Sequence, residues 1–242
     1  MSEILNQATA EIQNWNTVRD NEQSATAIFN NNTSFIITKD AYKQWKSTFD
    51  AHESEAQQYI HAYLGVTNPN SNTLLSSFCV DSYTDSLSVV NNQEKYNSNL
   101  FQFDYNSEAF TLQQFLKLIQ TQQPLKSDNV TPQQAQEAIA AWDSDKDTWV
   151  EEQITNQTMV QILVIPFSDL TTLFELPNTL YVVARFGLKK PEDIWQVDLI
   201  LWSSTPGGID YDKPEDLIQP VPPYSGFPAS DFQLLEYALP PS

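Results

Sequence analysis

Two stretches of the chain share one pattern, and this repetition restricts the fold more than any other feature. Residues 59–85 read as two strands joined by a polar loop, and residues 180–208 repeat the pattern. Gly65 recurs as Gly187, and the strands that follow align without a gap. Self-similarity at a fixed offset is typical of a repeated structural unit. The chain is therefore predicted to contain an internal duplication.

The helices that precede the two hairpins repeat as well. At one constant offset, five residues recur as a set: Ala8, Ile12, Trp15, Arg19 and Asp20 match Ala135, Ile139, Trp142, Lys146 and Asp147. Further along, Asp40 and Trp45 recur as Asp169 and Phe174. Each copy thus reads helix, strand, helix, strand, strand. This order predicts an α+β protein of two tandem similar units, each a small, mainly antiparallel sheet backed by helices.

The duplication also suggests domain limits. Residues 1–126 form the first predicted unit, which includes an extra strand and helix, and residues 127–205 form the second. Residues 206–242 are rich in proline and aromatic side chains, so most of this tail is unsuited to a helix or a central strand. Its aromatic residues would leave apolar area in water if it hung free. We therefore expect it to pack on the units.

Periodicity and turn residues assign local structure along the chain. Helices are expected at 3–21, from Thr38 onward, at 110–119, after the cap residue Thr131, and at 168–174. Strands are expected at 27–29, 35–38, 100–105 and 159–165. Alternatively, residues 31–34 are an inserted loop before one main strand. The polar residues 86–99 are predicted to be loop.

Side-chain alternation gives the first hairpin a predicted register. A turn centred near Asn70 pairs Ala62 with Phe78 and places both on one buried face. In this register His61 and Cys79 lie opposite each other on the other face. A Cys–His pair can act as nucleophile and base.

The second copy argues against chemistry at this pair. It carries Val183 and Leu201 at the two positions, so the architecture does not require them. No third group that would orient the histidine is evident from the sequence. Packing at a sheet face is the favoured interpretation, and we assign no catalytic, cofactor-binding or metal-binding residue.

Asp143, Asp145 and Asp147 have the carboxylate spacing of the first half of a calcium loop. The match then ends, because the sixth position is Thr148 instead of glycine and the twelfth is Ile154 instead of glutamate. A polar helix end is the favoured interpretation. Cation binding at the three aspartates is left open.

Charge limits the partners that the chain can bind. Its 31 acidic and 12 basic residues give a formal net charge of -19, which repels phosphate backbones and anionic lipids. Nucleic acid and membrane surfaces are therefore excluded as expected partners, whereas a cationic partner suits the surface. One cysteine excludes an internal disulfide. Without a recognisable signal peptide or spanning segment, a cytoplasmic location is predicted, and secretion without a cleaved signal stays open.

Several short motifs resemble those of a group of small uncharacterised bacterial α+β proteins. The residues that carry the resemblance are Phe35-Ile36-Ile37, Ile60 to Gly65, Phe78 to Asp81, and Pro222-Pro223-Tyr224. The resemblance implies the helix-and-hairpin architecture over most of the chain. It implies no activity and no functional residue.

These observations favour a non-enzymatic protein-interaction or structural module that needs no cofactor. Its expected partner is another protein, and self-association is also open. The alternative is a hydrolase that uses carboxylates or His61, or a binder of a small ligand or cation, with its site in a cleft between the two units.

Overall fold

The computed structural model describes residues 2–31, 34–52, 58–69, 74–105, 130–190, 194–205, 208–215, 219–221 and 229–239. These residues form helices and antiparallel sheets, so the predicted α+β class is confirmed. The helix predicted at 110–119 lies outside the described residues.

The first half alternates helices with strands. Its elements are α1 (Glu3–Val18), α2 (Glu22–Asn31), β1 (Ser34–Thr38), α3 (Lys39–Ala51), β2 (Tyr59–Val66), β3 (Leu75–Asp81), α4 (Ser82–Asp85), a 3₁₀ turn (Val89–Asn91), α5 (Gln93–Asn99) and β4 (Phe101–Asp104). The Ser2 hydroxyl caps α1 by accepting from the Leu5 amide, and Thr38 caps α3 in the same way.

The second half begins with a long helix and ends with short elements. They are α6 (Pro132–Thr155), β5 (Ile162–Pro166), α7 (Phe167–Phe174), β6 (Tyr181–Lys189), β7 (Gln196–Thr205), β8 (Gly208–Glu215), β9 (Gln219–Val221), a 3₁₀ turn (Ala229–Asp231) and α8 (Gln233–Ala238). The predicted start of α6 is confirmed: Thr131 and Gln134 form a capping box, with proline at the first helical position.

Both sheets contain strands from both halves of the chain. The first sheet has the order β1-β6-β7-β8, and the second has the order β4-β3-β2-β5-β9. In the first sheet, β6 of the hairpin β6–β7 pairs with β1 from the other half of the chain. In the second sheet, β2 of the hairpin β2–β3 pairs with β5 from the other half. Neither sheet is therefore confined to one of the predicted units, 1–126 and 127–205.

The inner faces of the two sheets share one core. It contains Ile60, Ala62 and Leu64 from β2 together with Ala184 and Phe186 from β6, all buried. Part of this core is a group of aromatic rings. Phe29 makes edge-to-face contacts with Trp15, Trp142, Trp149 and Phe186 at centroid distances of 5.3 to 5.6 Å. Such contacts add to the free energy gained from burying the rings.

Helices cover the outer face of each sheet at matching places. α1 packs on β2, where a Cβ on Gly65 would come within 3.0 Å of Glu11 Cβ. α6 packs on β6, where a Cβ on Gly187 would come within 3.1 Å of Ala138 Cβ. Glycine permits this close approach of helix and strand in both halves.

The predicted register of the first hairpin is wrong by one residue. Ala62 pairs with Cys79, and His61 pairs with Val80. Since successive side chains point to opposite faces, the shift moves Phe78 to the outer face and Cys79 into the central core. His61 and Cys79 thus lie on opposite faces of the sheet.

Two local predictions also need correction. Residues 27–29 belong to α2 and form no strand, because Ala25, Ile28 and Phe29 share one buried helical face. Residues 86–99 contain a 3₁₀ turn and α5 in place of a loop, with Val89 and Tyr96 buried. These short helices depend on tertiary packing for their stability.

The two interface glycines allow a matched test of the helix–strand packing. A Cβ on Gly65 would lie 2.9 Å from the Phe78 ring, closer than any contact at Gly187. We expect Gly65→Ala to lower the free energy of unfolding by about 1–3 kcal/mol, and Gly187→Ala to lower it less. Urea unfolding monitored by tryptophan fluorescence measures both. Equal or reversed effects would contradict the packing described here.

Candidate functional site

The outer face of the second sheet holds a buried polar cluster centred on Asp85. This carboxylate ends α4 and is fully buried. Its Oδ2 atom lies 2.6 Å from His61 Nδ1 and also accepts a hydrogen bond from the Tyr63 hydroxyl. Its Oδ1 atom accepts from the Tyr96 hydroxyl at 3.2 Å and from the Leu234 amide at 3.0 Å. We call these four side chains (Asp85, His61, Tyr63 and Tyr96) the Asp85 cluster.

Local geometry explains how the Asp85 cluster forms. Tyr63 and His61 alternate with core residues on β2, so both project to the outer face. Asp81 caps α4 through a 2.8 Å hydrogen bond from the Thr84 amide, and the single turn of α4 then places Asp85 beneath β2. Four donors around one carboxylate offset the cost of removing its charge from water.

Burial also changes the acidity of groups around the cluster. It raises the pKa of Tyr96, and the adjacent Asp85 carboxylate raises it further. Burial likewise raises the pKa of Asp81, against the opposing effect of the Thr84 hydrogen bond. The second carboxylate oxygen of Asp81 has no hydrogen-bond partner within the described part of the chain. The protonated form of Asp81 is thus favoured by folding.

The C-terminal tail closes the Asp85 cluster from solvent. The Phe232 ring lies over the His61 ring at a centroid distance of 4.8 Å. The exposed fraction of His61 is 1%. As arranged, the cluster holds an oriented imidazole beside a carboxylate, but the tail denies a substrate access to it.

The other sequence candidates lie elsewhere. Cys79 is buried in the central core, and burial raises the pKa of its thiol, so the reactive thiolate is disfavoured. The proposed pairing of Cys79 with His61 is therefore wrong.

The three aspartates of the calcium-like motif lie within the continuous helix α6, which provides no loop to wrap a cation. Asp143 instead forms an ion pair with Arg185 of β6, at 3.1 Å. Within the described ranges, no group of three or more His, Cys, Asp or Glu residues could hold a metal ion.

Two of the protein's grooves are lined by described residues. One, of 330 Å³, lies between α1 and the tail and is lined by Asn16, Arg19, Gln161, Phe232, Leu235, Glu236 and Leu239. Arg19 is fixed there by hydrogen bonds to the Asn16 side chain and the Met159 carbonyl oxygen. The Arg19 guanidinium thus links α1 to the segment that precedes β5.

The second groove, of 510 Å³, lies between α6 and the end of the hairpin β6–β7 where its two strands are connected. Its floor includes Ala138, and its side carries an ion pair between Lys189 and Asp198 at 3.1 Å. Where α1 packs on β2, Glu11 lies against Gly65 as Ala138 lies against Gly187, and it accepts a hydrogen bond from Ser76 at 2.5 Å.

Sequence reasoning singled out His61 but missed its partners. Asp85 and Tyr96 fall in or beside the segment predicted as loop, and Leu234 comes from a tail 149 residues away in sequence. The only local signal was that Tyr63 shares the strand face of His61.

Comparisons with known proteins add no relative. No family model, curated protein or solved structure matches the chain. The resemblance to small bacterial proteins thus stays a prediction. Among the helices of the described residues, none is long and apolar enough to cross a membrane.

Asp81 permits a test of the electrostatics beside the cluster. Since its folded-state pKa is raised, its ionisation reduces stability as pH rises above the ordinary aspartate value of about 4. Asp81→Asn keeps an oxygen to cap α4 and removes the buried charge, so we expect unfolding at pH 7 to cost at least as much free energy as in the wild type.

The matched variant Asp81→Ala lacks the cap and should lose about 1 kcal/mol. Chemical denaturation across pH 4 to 8 gives both differences. The advantage of asparagine over aspartate should grow with pH, and an advantage that shrank with rising pH would contradict the raised pKa.

Proposed function

We propose that the chain is a non-enzymatic protein-interaction module built from two tandem similar units that exchange strands. Its partner is another protein that carries positive charge. The observation that carries this proposal is a large apolar side chain exposed on the terminal strand β1 of the first sheet. Ile36 is 37% exposed.

The position of this edge supports the docking of a partner. β1 is the terminal strand of its sheet in the described residues, so alternate backbone groups face away from β6. Ile36 pairs with Val183 of β6, so its side chain lies in the middle of this terminal strand. Exposed apolar residues on an edge strand are typical of sites that accept a further strand. We call β1 with its exposed Ile36 the β1 edge.

Charge supports the choice of a cationic partner. The net charge of -19 produces a negative potential that steers basic surfaces toward the protein. Two copies of the chain, both strongly negative, repel each other, which disfavours self-association through the same surface. A basic protein segment with extended backbone therefore fits the β1 edge best.

The two-unit architecture is supported by the strand registers. The repeat aligns Tyr63 with Arg185, and these residues pair with the first residues of β5 and β1, Ile162 and Ser34. The other ends match in the same way, since Tyr59 and Tyr181 pair with the last residues of those strands. A duplicated unit of this kind reproduces within one chain the interface of a symmetric dimer.

The β1 edge is tested by comparing capture of basic proteins on immobilised variants. Ile36→Lys places on β1 a positive charge, which repels a basic partner, and a residue that is less favourable in a strand. We expect this variant to lose capture of any basic protein that the wild type retains at low salt. Val90→Lys is the control, because Val90 is 65% exposed on a separate 3₁₀ turn. Thermal melting shows that both variants fold. Equal capture by wild type and Ile36→Lys would contradict docking at this edge.

A second candidate is a hydrolase, and the Asp85 cluster favours it. Asp85 fixes the His61 ring by binding Nδ1, which is how a general base is oriented. The site would lie under the tail on the outer face of the second sheet, away from a cleft between the units. Ester and amide hydrolysis by the full chain, compared with His61→Asn, tests it, and equal rates would reject it.

A further inference from the structure

The tail helix α8 is held to the outer face of the second sheet at both of its ends. Asp85 accepts a hydrogen bond from the Leu234 amide in the first turn of α8. Gln13 of α1 donates from Nε2 to the Ala238 carbonyl oxygen at 2.7 Å, at the last residue of the helix. Two side chains from distant parts of the sequence thus satisfy backbone groups that a free helix end leaves unpaired.

Apolar contacts fill the space between these two hydrogen bonds. Leu234 and Ala238 are fully buried, and Phe232 is 1% exposed. They pack in one cluster with Leu5, Ala8 and Ile12 of α1. This burial is the main source of docking free energy, since the effect scales with the apolar area removed from water.

A six-residue helix cannot persist without such contacts. Helix nucleation is unfavourable, and isolated helices shorter than about 12 residues are marginal in water. The fold of α8 is therefore coupled to its docking, and undocking should release and unfold it as one local unit.

Most of the hydrogen bonds of the Asp85 cluster do not involve α8, so the cluster can remain formed when α8 undocks. His61, Tyr63 and Tyr96 all lie within 24 residues of Asp85 in sequence and bind it without the tail. Undocking removes one of the four donors, the Leu234 amide, and leaves the carboxylate with three. It also removes the Phe232 ring from His61.

We infer that α8 is a removable cover, and that its local undocking exposes a preassembled His61–Asp85 pair on an otherwise intact second sheet. This inference goes beyond the proposed function, since it concerns access to the outer face and holds whether or not His61 takes part in chemistry. The His61–Asp85 pair is therefore buried when α8 is docked and exposed to solvent when α8 is undocked.

The chain contains the reference needed to test the cover. It has two histidines, and His52 is only partly buried at the end of α3, where its Nδ1 meets the Thr48 carbonyl oxygen. Diethyl pyrocarbonate modification, followed by mass spectrometry, reports the accessibility of both rings in the full-length protein. In the wild type we expect His61 to react at least about tenfold more slowly than His52.

Leu234→Ala should undock the cover, and Glu236→Gln is its control because Glu236 is exposed on the same helix. Loss of the buried leucine should speed modification of His61 by about tenfold or more, with His52 unchanged. The control should match the wild type at both residues.

Hydrogen exchange separates local undocking from general unfolding. Amides of residues 233–238 should exchange faster in Leu234→Ala, while those of β2 and β3 keep their protection. Three results would overturn the inference: a His61 that stays protected while the tail exchanges, an unchanged tail in Leu234→Ala, or loss of strand protection together with the tail.

Discussion

Each hairpin of this protein depends on a strand from the opposite half of the chain. β2 pairs with β5, and β6 pairs with β1, so the first strand of each hairpin gains its second neighbour from the other half. Without that neighbour, the backbone groups on one side of each hairpin would lie unpaired beside a shared apolar core, which is costly. The exchange therefore ties both sheets, the central core and the covering helices into one structure.

The two halves differ on the outer faces of their sheets. In the second half, Arg185 reaches across to Asp143, an ion pair with an exposed carboxylate. At the aligned position of the first half, Tyr63 binds the fully buried Asp85 together with His61. The tail residues Phe232 and Leu234 then cover this face. Both halves contribute to the central core, whereas the polar interactions on the outer faces differ between them.

Much of this architecture can be predicted from the sequence, because local signals govern it. The capping residues Thr38 and Thr131 begin helices where predicted, and the repeat locates both hairpins. The register of the first hairpin was missed for a physical reason: both faces of β2 and β3 are buried, so alternation of apolar residues does not distinguish them.

Long-range features left little trace in the sequence. Nothing in the strand patterns shows that β5 rather than β1 completes the first hairpin, since both strands are short and apolar. The Asp85 cluster likewise includes side chains in or beside a segment whose polar composition predicts a loop. Its fourth hydrogen-bond donor is a backbone amide of the tail. A backbone amide has no sequence signature.

The dependence of each half on the other is tested most directly by dividing the chain. Fragments 1–126 and 127–242 would be produced separately and together, and examined by circular dichroism, thermal melting and mass measurement in solution. The strand exchange predicts that neither fragment forms a stably folded monomer, and that the two together restore the cooperative melting of the full chain. A fragment 1–126 that melted cooperatively as a monomer would contradict it.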